Sequence, residues 1–288
     1  MLNDFNFKKL LLSALTLSLL AVSGGAPTAQ ADTIPGKVLG AINFSDPNWK
    51  VTAHGLTEGA WQADPPPVVT SAPLSPTKQK PLQVTYPKYS SSPASHRNYN
   101  TPLGGGQFAA DFTLSPKRTL GLDYYVYFPS NFQFNKGGKL PGLYGGSVSQ
   151  ASGGRYAEDS FSTRLMWRAD GQGELYVYFP NPQVGNLGKV NGDMGVSIGR
   201  GTFAFTPGTW THVRQLIHLT NSSSDRLRLW INNMSTPVID IRGTQFSHTV
   251  PLSANGLFFS TFFGGSDSSW GSPANQHAYF ADFKVWEP

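Results

Sequence analysis

The chain of 288 residues contains no cysteine, so no disulfide can hold it and its fold must rest on its own core. It has no apolar run long enough to anchor in a bilayer: the stretch from Leu10 to Val22 is too short, and nothing later is as apolar. Beyond that stretch no segment sustains a 3.6-residue apolar period, which argues against a helical architecture. There is no lysine-rich run and no nucleic-acid motif. His212 and His218 can share a strand face, but no set of carboxylates or histidines at ligand spacing accompanies them, so no metal and no cofactor is expected. No alternating Glu-x-Asp-x-x-Glu pattern occurs, and Glu158 and Asp159, being sequence neighbours, would point apart on a strand. The carboxylate pair of a glycoside hydrolase is therefore missing.

What is present begins with a leader. Lys8 and Lys9 precede the apolar run, and Ala29-Gln30-Ala31 supplies a small-x-small cleavage site, so residues 1–31 are expected to be a signal peptide removed on export. The mature chain, 32–288, is then secreted or periplasmic and free of the membrane. Loss of Lys8, Lys9 and Asp4 with the leader lowers the net charge from +5 to +4, which leaves a basic protein. Outside the cell an acidic polysaccharide is a more fitting polyanion for such a surface than nucleic acid. About 250 residues suffice to bury roughly three quarters of the unfolded surface in one domain. A proline-rich segment around residues 62–81 reads as a surface connection.

From PLQVTYPKY onward, short alternating or aromatic runs recur between clusters of Gly, Pro, Asn and Asp: QFAADFTL, LDYYVYF, STRLMWRA, ELYVYF, HVRQLIHL, RLRLWIN, LFFSTFF and AYFADFKVW. These are strands. They predict an all-β fold, a two-sheet antiparallel β-sandwich of the β-jelly-roll, concanavalin-like kind. Phe128, Phe203, Phe205, Trp230, Phe258 and Phe262 are expected to pack its core.

The segment FSTRLMWRADGQGELYVYFP, residues 161–180, reads as a hairpin turning over Ala169 to Gly173, with Asp-Gly as the turn signal. Side chains alternate between the faces of a strand. Thr163, Leu165, Trp167, Leu175, Val177 and Phe179 form the core side. Ser162, Arg164, Met166, Arg168, Glu174, Tyr176 and Tyr178 share the other. Pairing Arg168 with Glu174 as a cross-strand ion pair sets Arg164 opposite Tyr178 and Met166 opposite Tyr176. Upstream, KGGKLPGLYGG holds Lys139 in what reads as a glycine-rich turn.

Taken together, KGGKLPGLYGG, STRLMWR, ELYVYF, GVSIGRGTFAFTPGTWTHVRQ and FFGGSDSSWGSP resemble polysaccharide lyase family fourteen, which contains alginate and glucuronan lyases. The resemblance runs from about PLQVTYPK to AYFADFKVW. It implies a β-jelly roll with a cleft across one sheet, and it implies catalytic residues at Lys139, Ser162, Arg164, Tyr176 and Tyr178. Tyr144 and Trp270 are candidates to stack on sugar rings and Arg200 is a candidate subsite cation. The implied activity is β-elimination on a uronate polymer, most readily alginate, with β-1,4-glucuronan or mere binding of an acidic glycan as alternatives.

Such chemistry needs a base at C5, an acid at the departing O4, and a strong donor on the carboxylate as charge develops beside it. Arg164 suits the carboxylate through two parallel bonds. Either tyrosine can move the proton. Lys139 can neutralise the carboxylate, favour a phenolate, or act as base if desolvated.

Overall fold

The computed structural model describes residues 33–49, 56–57, 66–112, 115–153, 157–180, 195–244, 251–265 and 267–288. The expected leader, and residues 62–65 of the proline-rich segment, lie outside the described residues. Alternation along the strands sorts the chain into two antiparallel sheets with the apolar positions turned inward. The first sheet runs in the order β14 (Ile239–Thr244), β13 (Asp225–Ile231), β12 (Trp210–His218), β6 (Thr119–Tyr127), β16 (Gln276–Glu287), β4 (Leu82–Tyr86) and β3 (Val68–Val69), with β1 (Lys37–Ile42) also on β16. The second runs β11 (Val196–Ala204), β10 (Gln172–Tyr178), β9 (Phe161–Arg168), β7 (Gly137–Leu140), β15 (Gly256–Phe263), β5 (Gly106–Asp111) and β2 (Leu56–Thr57). In this sheet β8 (Gly142–Gly145) pairs with both β15 and β9. The fold is the all-β jelly roll expected from the strand pattern.

Among the described residues one short α-helix, α1 (Pro93–Tyr99), interrupts the strands. Pro93 sits in its first turn, Ser92 caps it by accepting from the Ser95 N–H at 3.1 Å, and Asn100 ends it in the left-handed region. At seven residues it is too short to leave a readable period in the sequence. The proline-rich segment, where described, is not a bare connection, because it contributes β3 to the edge of the first sheet.

Trp167 is the largest ring at the centre of the core. It is fully buried, its Nε1–H donates to the Phe134 carbonyl at 3.1 Å, and Tyr86, Phe128, Phe132 and Phe263 surround it at centroid distances of 5.2–6.0 Å. Such edge-on aromatic contacts add to the apolar area each ring removes from water. Phe128 and Phe205 lie in this core as expected, and Phe203 packs against it. Trp230 packs elsewhere, with Leu216 and Trp286 on the outer face of the first sheet.

That outer face also carries a buried ionic cluster. Asp123 on β6 accepts from His212 Nε2 at 2.9 Å, from Arg214 Nη2 at 2.8 Å and from Trp286 Nε1 at 2.7 Å. Burial pushes the Asp123 carboxyl up, but the bonds from His212 and Arg214 and their charges outweigh it and hold the group below its ordinary range. The second histidine of the strand, His218, bonds Thr119. Both histidines thus sit on the sheet away from the tyrosine pair.

Two outcomes are expected. A Cβ at Gly138 would lie 2.1 Å from the Trp167 ring and 2.5 Å from the Phe262 carbonyl oxygen, so Gly138→Ala should cost about 1–3 kcal/mol in urea unfolding. For Asp123, a depressed folded pKa means stability fully present above the unfolded carboxylate value and lost as pH falls through the folded one. The stability gap between the wild type and Asp123→Asn should therefore hold at neutral pH and close as pH drops below about 4, followed by unfolding across pH.

Candidate active site

Lys139 stands on a strand rather than in a turn. The glycines of KGGKLPGLYGG serve close approach within the sheet: beside Gly138, a Cβ at Gly142 would lie 2.2 Å from the Thr163 carbonyl oxygen. They let β7 and β8, separated only by Pro141, lie tight against β9, which carries Trp167 on one face and Arg164 and Met166 on the other. Lys139 pairs with Met166 on β9 and with Phe262 on β15, so it occupies the middle of the second sheet.

The β9–β10 hairpin keeps the two predicted faces but not the predicted register. Its turn is three residues, Ala169–Gly171, in which Asp170 and Gly171 both take positive φ (58° and 75°), and Gln172 is already paired. The shorter turn slides the partners by two positions. Arg164 lies opposite Tyr176, Ser162 opposite Tyr178 and Glu174 opposite Met166. A slip of two preserves the face of every side chain. Thr163, Leu165, Trp167, Leu175, Val177 and Phe179 all turn toward the first sheet, where Thr163 donates to Gln215 at 2.8 Å.

On the opposite face the side chains converge. Lys139 Nζ lies 3.1 Å from the centre of the Tyr176 ring and 2.8 Å from Met166 Sδ. The Arg164 guanidinium is 4.7 Å from the Phe258 ring and 5.5 Å from that of Tyr178, and its Nη1–H donates to Ser260 Oγ at 3.3 Å. Its Nε and Nη2 have no hydrogen-bond partner among the described residues although the side chain is 1% exposed. A cation in that state is costly unless an anion completes it. Burial lowers its pKa, and Tyr178 and Tyr176 pull back in the other direction. The Tyr176 hydroxyl oxygen accepts the Gly195 N–H at 2.6 Å.

Ser162 is on the same face, but its hydroxyl donates to the Ala151 carbonyl at 2.8 Å. That bond holds the segment 147–153, whose Ala151 packs with Ala157 on Met166, Tyr176 and Tyr178. The face is therefore roofed: Lys139, Ser162, Arg164, Tyr176 and Tyr178 are all buried. Tyr144 lies beside this group on β8, opposite Ser162, with its hydroxyl bonded to Asp111 and its ring against Phe258.

Arg168 and Glu174 do form an ion pair, but it is neither directly cross-strand nor ordinary. It runs diagonally at 2.6 Å, and the same fully buried carboxylate takes the Arg200 Nε–H at 2.6 Å and the Ser197 hydroxyl at 3.1 Å. Arg200, the candidate subsite cation, is a partner of this network, with its guanidinium turned to Glu174. Trp270 is half-buried, with the Arg168 guanidinium 5.8 Å from its ring.

Parity placed Met166 on this face, where it packs with the two tyrosines. Phe258 and Ser260 were missed as members of the group, because LFFSTFF is apolar on both faces and Phe258 was placed with the core. Ser260 in turn donates to Gln107 at 3.3 Å, which brings β5 into the group.

A family model described as polysaccharide lyase 14 matches residues 75–283. Among solved structures, the marine PL-14 alginate lyase from Aplysia kurodai is similar with a TM-score of 0.71 and 26% identity, covering 87% of this chain and 99% of that one. Alginate lyase vAL-1 from Chlorella virus gives 0.66 and 22%, covering 87% and 100%. The endo-β-1,4-glucuronan lyase from the fungus Trichoderma reesei shares the fold at 0.53 and 10% identity, covering 82% and 92%. No curated protein matches the chain.

Glu174→Gln should lower stability by about 3 kcal/mol in urea unfolding, since it leaves two guanidinium groups around an uncharged buried partner. Arg200→Ala, which removes the more exposed of the two, should cost less.

Proposed function

Because the chain belongs to the polysaccharide lyase 14 family, we propose that it cleaves an acidic uronate polymer, most readily alginate, at the face built around Arg164. The observation that carries this reading is the buried Arg164 guanidinium, which has two nitrogens without a described partner and lies beside the rings of Phe258 and Tyr178. A uronate carboxylate supplies the charge and the paired acceptors that such a fork takes.

The reaction removes the proton on C5, passes its electron pair into an enolate stabilised at the carboxylate, and then forms the C4–C5 double bond as the C4–O4 bond breaks. The departing O4 takes a proton, and no water is consumed. Arg164 holds the carboxylate as its charge grows. Tyr176 has Lys139 on its ring and the Arg168 guanidinium at 5.8 Å, with a backbone N–H on its oxygen, so it is the tyrosine better placed to carry negative charge and act as base. Tyr178, beside Arg164, is then the group that protonates O4. Ser162 acts through the roof, holding segment 147–153 over the tyrosines. Arg200, Trp270 and Tyr144 extend the binding surface on either side. Export through the leader 1–31 belongs to the same reading, since a polymer of this kind is met outside the cell.

Purified protein given alginate, polymannuronate, polyguluronate and glucuronan should release unsaturated ends, followed by ultraviolet absorbance, fastest on one of the alginate polymers. New reducing ends without that absorbance would overturn elimination, and activity confined to glucuronan would overturn the substrate. Tyr176→Phe and Tyr178→Phe should each lower turnover by about 10²-fold or more. Full activity in both would remove the tyrosines from the reaction.

A further inference from the structure

Beyond Arg168, three loops are knotted together at one end of the site. Tyr89 N–H donates to the Ser272 carbonyl at 2.7 Å, and Ser272 N–H returns to Ser90 at 2.9 Å. Asn135 Nδ2 donates to the carbonyls of Ser269 and Gly271 at 3.1 and 2.8 Å, and Lys136 Nζ to the Ser269 hydroxyl at 2.6 Å. The knot fixes Trp270, with Lys136 Nζ 6.0 Å from its ring, and sets Tyr89 next to it, since a Cβ on Gly271 would lie 2.8 Å from the Tyr89 carbonyl oxygen.

Tyr89 is held at φ 68° and is 60% exposed. A bulky side chain in the left-handed region is unfavourable, and a ring left mostly in water recovers little of that cost by packing. The fold thus spends strain on displaying an aromatic ring. Lys88 Nζ lies 4.9 Å from its centre, and Lys88 and Lys136 are both exposed. Asp267, the acid in these loops, has its carboxylate bonded to the N–H and hydroxyl of Ser269. The knot adjoins the catalytic groups, because the buried Arg168 guanidinium is 5.8 Å from both the Tyr176 ring and the Trp270 ring.

We propose that Tyr89 and Trp270, flanked by Lys88 and Lys136, form a distal polyuronate site that takes sugars of the same chain beyond the point of cleavage. The inference rests on the reading that the central site acts on a polyuronate. Ring faces offer apolar area to the C–H faces of pyranoses, and the lysines pair with carboxylates in a salt-sensitive way. A long polymer can occupy Tyr89 and the centre together more readily than a trisaccharide can.

The test compares Tyr89→Asn and Lys88→Ala with the wild type on a long polymannuronate and on its trisaccharide, beside affinity electrophoresis in gels containing polymannuronate or a neutral glucan. In Tyr89→Asn the ratio of kcat/KM on polymer to that on trisaccharide should fall about fivefold, the loss of one exposed stacking contact. Retardation by polymannuronate should weaken, and the thermal midpoint should rise by about 2–4 °C as Asn tolerates the left-handed backbone. Lys88→Ala should weaken retardation mainly at low salt. An equal fall on both substrates, or no change in ratio and retardation, overturns the site. If the wild type cleaves nothing but is retarded by polymannuronate through Tyr89, the proposed function fails and the distal site stands. If it cleaves and Tyr89→Asn is retarded like the wild type, the distal site alone fails.

Discussion

The indole of Trp167 fills the space that a side chain at Gly138 would need, and much of the site depends on that contact. With no Cβ at Gly138, β7 lies flush against β9, and the next residue, Lys139, is delivered to the far face of the same sheet within reach of Met166 and Tyr176. The constraint is shared by both layers of the molecule. The ring is locked on its inner side by four aromatic neighbours, so the strand carrying the lysine is positioned by the core and not by a loop. A group required to stand close to a reacting atom gains more from such a support than from its own hydrogen bonds.

The two outer faces handle buried charge differently. On the first sheet Asp123 gathers His212, Arg214 and Trp286 and meets their donors with one carboxylate. On the second, Lys139, Arg164, Arg168 and Arg200 face Glu174 and, farther along, Asp111, which is bonded to Tyr144. Glu174 serves two of the four cations, and Arg164 keeps nitrogens without a described partner. The Asp123 cluster closes on itself, while Arg164 keeps donors that the carboxylate of the proposed substrate would meet.

Much of this was legible in the sequence, for a physical reason. Strand parity is a short-range property, so STRLMWR and ELYVYF disclosed which side chains share a face, and the recurrence of short strands disclosed the sandwich. Register was less secure, because a turn shortened from five residues to three moves every pairing by two and leaves parity untouched. That is why Arg164 faces Tyr176 and why the Arg168–Glu174 pair became diagonal. The glycines around Lys139 looked like a turn because what fills the place of their side chains, the Trp167 indole at Gly138 and the Thr163 carbonyl at Gly142, comes from a strand distant in sequence. Ser260 and Phe258 were hidden in a strand apolar on both sides, and the strain at Tyr89 has no sequence signature, since the residue types that usually mark left-handed backbone are Gly and Asn.

The alternation along β9 and β10 also separates two kinds of inheritance. Positions 163, 165, 167, 175 and 177 answer to the neighbouring sheet, whereas 162, 164, 166, 174, 176 and 178 answer to the roof and to what lies beneath it. A substitution among the outward positions leaves the inward packing in place, whereas Trp167, on the inward side, sets where Lys139 stands. A scaffold partitioned in this way can exchange its outward residues many times over while its interior stays recognisable, which fits a sandwich whose solved counterparts retain it at 26% and even 10% identity.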